Sequence, residues 1–140
     1  MFIHSWSEDQ EKLLKSFSAK KNKNWKNIMK EINYKGFTFF VKDRYYHDNL
    51  LKRFVGDTYE REESSLVSKY YGNEDCVLEI GSCLGYVSAL LSKKCKHVIS
   101  IEANPELIEG LEKTKEVNKL DNVEFHNTYI SEESGNISFF

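Results

Sequence analysis

The chain has 140 residues, a formal net charge of −2, and 40% hydrophobic against 30% charged residues. That is one globular domain with a small core, since a chain of this size buries about two-thirds of its unfolded surface. The longest apolar runs, 36–41 and 86–91, fall far short of the roughly 20 residues of a membrane-spanning helix. The opening MFIHSWSEDQ lacks the basic-then-apolar order of a signal peptide, so a cytoplasmic chain is expected. Cys76, Cys83 and Cys95 are odd in number and form no C-x-x-C pair, so neither a disulfide framework nor a zinc site is supported. The near-neutral balance argues against a dedicated nucleic-acid binder. It hides two opposed blocks: eight lysines against two glutamates over 11–35, and seven acids against Arg61 and Lys69 over 57–79. These read as solvated faces.

In chain order, Ser7 and Gln10 form a capping-box pattern. Leu13, Leu14 and Phe17 then predict a helix. Trp25, Ile28, Met29 and Ile32 repeat at i, i+3, i+4 and i+7 and predict a second one, ended by Gly36. The run Phe37-Thr38-Phe39-Phe40-Val41 predicts a strand. A loop and a short helix through Leu50, Leu51 and Phe54 follow, and then a helix over 59–71 with Leu66, Val67 and Tyr70 inward. Residues 76–80 suit a strand buried on both faces. The segment 84–94 suits a helix and 97–101 another strand. Asn104 and Pro105 open a further helix as cap and first residue. Strands are expected over 123–129 and 137–140. Three segments follow from this: a lysine-rich helical extension over 1–35, a lead-in strand and helix over 36–75, and an α/β Rossmann-like half-domain over 76–140. The alternation in the last segment predicts a parallel sheet with right-handed crossovers.

In such sheets ligands bind beyond the carboxyl ends of the strands. Here that end reads Glu79-Ile80-Gly81-Ser82-Cys83-Leu84-Gly85. Gly81 permits the tight turn and close approach of a ligand to the backbone, and Gly85 opens the next helix. The spacing is G-x-x-x-G, not the G-x-G-x-x-G of dinucleotide-binding folds. A pyrophosphate avoids a neighbouring carboxylate, whereas Glu79 suits a cationic ligand such as S-adenosylmethionine, with its ammonium and sulfonium. Glu102 ends the next strand, where a carboxylate can accept both hydroxyls of a ribose.

The runs VLEIGSCLGYVSALL, VISIEANPELIEGLEKTKEVN and NVEFHNTYISEESGNISFF resemble the FkbM-type methyltransferases, and GDTYEREESSLVSKYY resembles their lead-in helix. The resemblance covers about residues 36–140. It implies a class I, S-adenosylmethionine-dependent O-methyltransferase acting on a small molecule, sugar or lipid. It implies that Glu79, Gly81 and Gly85 hold the methionine part of the cofactor and Glu102 the ribose, with Ser82 also counted among the cofactor-binding residues. Ala103 and Asn104 would lie along the adenosine, with Tyr59 and Glu60 approaching the site. Glu79 replaces the commoner Asp, and Ser82-Cys83 replaces Ala-Asn.

Cys83 has no basic partner that would make it a nucleophile. His97 and His126 read as strand-end residues, and His4 and His47 have no companions at metal-ligand spacing. The resembled fold has seven strands, with catalytic residues largely on the fourth and beyond. The strand carrying Glu79 is therefore expected to expose an unpaired edge, covered by a partner or by a further segment of a longer or split protein. The same fold could also serve as a non-catalytic binding module. A dinucleotide-dependent oxidoreductase is the third reading, disfavoured by the glycine spacing and by Glu79.

Overall fold

The computed structural model describes residues 28–136 and 138. The helix expected around Leu13, Trp25 and, apart from Ser138, the strand expected over 137–140 lie outside the described residues. The first described element corrects the expectation of a helix through Ile28, Met29 and Ile32. Strand β1 (Met29–Tyr34) pairs antiparallel with β2 (Phe37–Lys42), with Tyr34 opposite Phe37. Lys35 and Gly36 form the two-residue turn, with φ of 48° and 82°. Two left-handed residues match the right-handed twist of the flanking strands, the geometry of a type I′ hairpin. Gly36 therefore turns a hairpin rather than ending a helix, and the hairpin runs through the boundary expected at 35/36. The buried residues are Ile32 and Tyr34, a period of two that a helical count over 25–32 overlooks.

A single turn of 3-10 helix (Asp43–Tyr45) leads to α1 (Asp48–Val55), capped by His47, whose Nδ1 accepts the Leu50 N–H. Helix α2 (Arg61–Tyr70) follows. Only Val67 of its three expected inward residues is buried; Leu66 and Tyr70 are exposed. Then come β3 (Cys76–Ile80), α3 (Tyr86–Ser92), β4 (His97–Glu102), α4 (Pro105–Asn118) and β5 (Val123–Asn127). Strands β3, β4 and β5 form a parallel sheet in that order, as the alternation requires.

The hairpin packs on α4. Thr114 Oγ1 accepts the Phe40 N–H at 3.2 Å, and Asn118 accepts the Thr38 N–H at 2.9 Å while donating to the Thr38 carbonyl at 2.6 Å. Side chains of a helix thus satisfy an edge that another strand would otherwise pair. Tyr34, Phe39, Phe54, Tyr59 and Tyr86 fill the space between hairpin, α1 and α3, with Phe54 and Tyr59 stacked at 4.3 Å. The second correction concerns β3. It is not buried on both faces: Leu78 is 55% and Ile80 64% exposed, while Val77 and Glu79 turn toward the helices. Among the described residues β3 is an edge strand, and the sheet face opposite α3 carries exposed Leu78, Ile80 and Ile99.

Candidate functional site

Two loops meet at the carboxyl ends of β3 and β4. Gly81, at φ 88°, turns the chain out of β3, and its N–H and that of Ser82 both donate to the Ile101 carbonyl, at 2.8 and 3.0 Å. The Ser82 hydroxyl donates to the same carbonyl at 3.2 Å. A Cβ on Gly81 would meet nothing within 4 Å, so this side of the loop is open. Gly85 is also left-handed (φ 81°) and starts α3, but here a Cβ would stand 3.0 Å from Leu111 Cδ2 and 3.6 Å from Phe125 Cζ. The two glycines therefore have different reasons: Gly81 an open approach, Gly85 contact with α4 and β5.

Glu102 ties the loops together. It is 8% exposed. Its Oε2 accepts the Cys83 N–H and its Oε1 the Asn104 N–H, both at 2.8 Å. Asn104 caps α4 as its sequence suggests, with Oδ1 accepting the Glu106 N–H at 3.0 Å, and its amide donates to the Tyr45 hydroxyl at 3.2 Å. Ala103 is half-buried between Glu102 and this cap.

Glu79 points toward the helix layer. Its Oε2 accepts from the Ser88 hydroxyl at 2.5 Å and from the Ser100 hydroxyl. Burial, with the nearby carboxylates Glu60 and Glu102 adding to it, holds the Glu79 carboxyl above the usual range, although both serine hydrogen bonds oppose the shift. Tyr59 and Glu60 reach the site from the segment before α2. The Tyr59 hydroxyl donates to Cys83 Sγ at 3.7 Å, and Glu60 is left-handed at φ 46°. Burial, then Glu63, raises the Glu60 carboxyl, and the Arg53 guanidinium partly offsets it. Cys83 is left-handed as well (φ 51°), and such residues cost about 1–3 kcal/mol each unless the surroundings hold them. Burial of its sulfur pushes the Cys83 thiol up, the Tyr59 hydroxyl partly offsets this, and Glu102 and Glu60 push it further, the opposite of what a thiolate nucleophile requires.

All nine residues singled out in the sequence thus lie on these two loops, the strand ends before them, or the segment before α2. The sequence reading missed four others: Ser88 and Ser100 beneath Glu79, Tyr45 beside Asn104, and Asn127. The Asn127 amide donates to the Glu102 carbonyl at 2.8 Å and the Ala103 carbonyl at 3.2 Å. Ser88 and Ser100 did leave a signal, a polar residue inside each of the apolar runs YVSALL and VISIE. His97 and His126 both lie against Glu124, at 3.3 and 3.4 Å, and no cluster of metal-ligating side chains occurs among the described residues. No described helix is long and apolar enough to cross a membrane.

No curated protein matches the chain in sequence. Among solved structures it is similar to TYW2 of M. jannaschii in complex with AdoMet, at 20% identity and a TM-score of 0.56, over 71% of this chain and 42% of that one. It is also similar to Trm5b of Pyrococcus abyssi, at 23% identity and 0.57, over 73% and 29%. The tRNA m1G37 methyltransferase of M. jannaschii matches at 20% and 0.54, over 79% and 32%. The chain spans less than half the length of these proteins, which share its fold. The family model for protein-L-isoaspartate(D-aspartate) O-methyltransferase matches residues 8–131. The expected α/β methyltransferase fold is therefore present, and the chain belongs to the protein-L-isoaspartate(D-aspartate) O-methyltransferase family, whose methyl donor is S-adenosylmethionine.

Proposed function

We propose that the loops at 81–85 and 103–104 hold S-adenosylmethionine for O-methyl transfer. The observation that carries this reading is the carboxylate that joins the two loops. Glu102 accepts the Cys83 and Asn104 N–H groups at 2.8 Å each, and Glu79 stands two residues before Gly81 at the end of β3, so the site favours a cationic ligand and repels a pyrophosphate. The residues present fit the cofactor. Glu102 spends one lone pair of each oxygen on a backbone N–H, which leaves a second on each for the two hydroxyls of a ribose. Gly81 leaves open space where a side chain would stand. Glu79, Gly81, Ser82 and Gly85 are assigned to the methionine end, Glu102 to the ribose, Ala103 and Asn104 to the adenosine, and Tyr59 and Glu60 to the border of the site.

When bound, S-adenosylmethionine supplies a methyl group on a sulfonium, which passes to an acceptor oxygen by direct displacement. The part of this chain is to bind, orient and exclude water. The FkbM-like runs support a small molecule, sugar or lipid as acceptor. The matched family by its name acts on an isoaspartyl group, and in both cases the methyl goes to oxygen. A cytoplasmic location accords with the free cysteines Cys76, Cys83 and Cys95.

Calorimetric titration of the 140-residue chain with S-adenosylhomocysteine and with NAD tests the reading. Saturable binding of the first and none of the second is expected. The reverse pattern would replace the methyltransferase reading with an oxidoreductase one.

A further inference from the structure

Beneath the loop at 81–85 lies a polar cluster inside an otherwise apolar layer. Ser88 on α3 and Ser100 on β4 are fully buried, 3.1 Å apart, and both hydroxyls donate to one oxygen of Glu79. Each serine has one proton to donate, and both are spent on Oε2. Oε1 receives no hydrogen bond from a described group, yet no buried side-chain oxygen or nitrogen among the described residues lacks a partner. The carboxyl group has one oxygen anchored by two described donors and one that no described group anchors.

We propose that Ser88 and Ser100 are positioning residues: they clamp Oε2 so that Oε1 is the oxygen presented to the ammonium of the cofactor's methionine end. This rests on the reading of the site as one for S-adenosylmethionine. The clamp has two physical consequences. It fixes the carboxyl rotor, so the ordering cost is met before the ligand arrives. It also supplies two hydrogen bonds that favour the charged form, the form a cationic ligand requires. The charged groups that act on Glu79 are Glu60, from the segment before α2, and Glu102, from the end of β4, and both oppose ionisation. Among the described residues the two serine donors are the groups that counter them and the burial.

The test is the pH profile of S-adenosylhomocysteine binding, followed by calorimetry from about pH 5 to pH 8, where the ligand's amino group stays mostly protonated. For the wild-type chain affinity should fall as the pH drops and Glu79 takes up its proton. Ser88→Ala, Ser100→Ala and the double variant should each move the midpoint of that fall to higher pH. The double variant should lose about tenfold in affinity near neutral pH and recover most of it at the alkaline end, with weakening greatest where Glu79 is partly protonated. A purely structural lesion would lower affinity equally at every pH and leave the midpoint in place, and that result would overturn the proposal. Should the alanine variants not fold, Ser100→Cys fills the same space with a weak donor and must show the same displacement. Ser100→Thr keeps the hydroxyl and should keep the wild-type midpoint. Glu79→Gln should bind weakly with a flat profile. Wild-type binding with unmoved midpoints in the variants would remove the clamp and leave the site assignment standing. Absence of wild-type binding would remove both.

Discussion

Glu102 and Cys83 stand 19 residues apart in sequence, yet Glu102 Oε2 accepts the Cys83 N–H at 2.8 Å. Because its other oxygen holds the Asn104 N–H, one side chain sets the spacing of the two loops proposed to hold the cofactor. Glu102→Ala would leave both N–H groups without that partner. Unmet buried donors cost roughly 1–3 kcal/mol each when water cannot replace the acceptor, so a loss of about 1–3 kcal/mol overall is expected where water reaches one of them. Urea unfolding of the two chains measures it, and an unchanged midpoint would contradict the bridging role.

The two glycines of the loop predict different losses. Gly81→Ala places a Cβ in open space at φ 88°, so it should cost only the left-handed penalty of about 1–2 kcal/mol while obstructing the ligand. Gly85→Ala adds a 3.0 Å contact with Leu111 Cδ2 to the same penalty and should destabilise more, by about 2–4 kcal/mol. Thermal unfolding paired with ligand titration separates them. Equal destabilisation would show that the Leu111 contact relaxes at no cost.

The Glu79 carboxyl gives a pH-dependent stability of definite sign. Its pKa in the folded chain is raised above the unfolded value, chiefly by burial. The folded state therefore binds more protons than the unfolded one, and the contribution of Glu79 to stability falls as the pH rises through the interval between the two pKa values. Glu79→Gln is thus expected to stabilise the ligand-free chain at neutral pH, and the gain should vanish below about pH 4, under both pKa values. Denaturant titrations at several pH values check this, and destabilisation at neutral pH would contradict it.

The open face of the sheet predicts behaviour in solution. Leu78 and Ile80 are more than half exposed on an edge strand, an arrangement that promotes edge-to-edge pairing. Leu78→Lys should change stability by less than about 0.5 kcal/mol and reduce concentration-dependent association of the 140-residue chain, read by light scattering after gel filtration. Unchanged association would move the contact elsewhere.

The second half of the chain was legible because its punctuation is local. Gly81, Gly85, Asn104 and Pro105 each mark an element end by a backbone requirement visible within a few residues. The first hairpin was not, because Trp25, Ile28, Met29 and Ile32 satisfy a helical count, while the strand period of two shows only in Ile32 and Tyr34 at the end of that run. The deciding signal was the pair Lys35-Gly36, whose two left-handed residues only the turn explains. That Gly81, Gly85, Glu102 and Asn104 stand at element ends could be read in advance. Ser88 and Ser100 marked themselves only as polar residues inside apolar runs; their shared partner lies 9 and 21 residues away, and only the register of β3 on β4 brings Glu79 opposite Ser100. The two-faced burial expected of β3 failed for a related reason: an apolar run records what a strand can bury, not what covers it.

The most direct test of the account is one calorimetric comparison, S-adenosylhomocysteine titrated into the wild-type chain and into Glu102→Ala. Saturable wild-type binding weakened at least tenfold by the substitution is the predicted result. Equal affinity for the two chains would contradict the assignment of the ribose to Glu102 and, with it, the placement of the ligand between the two loops.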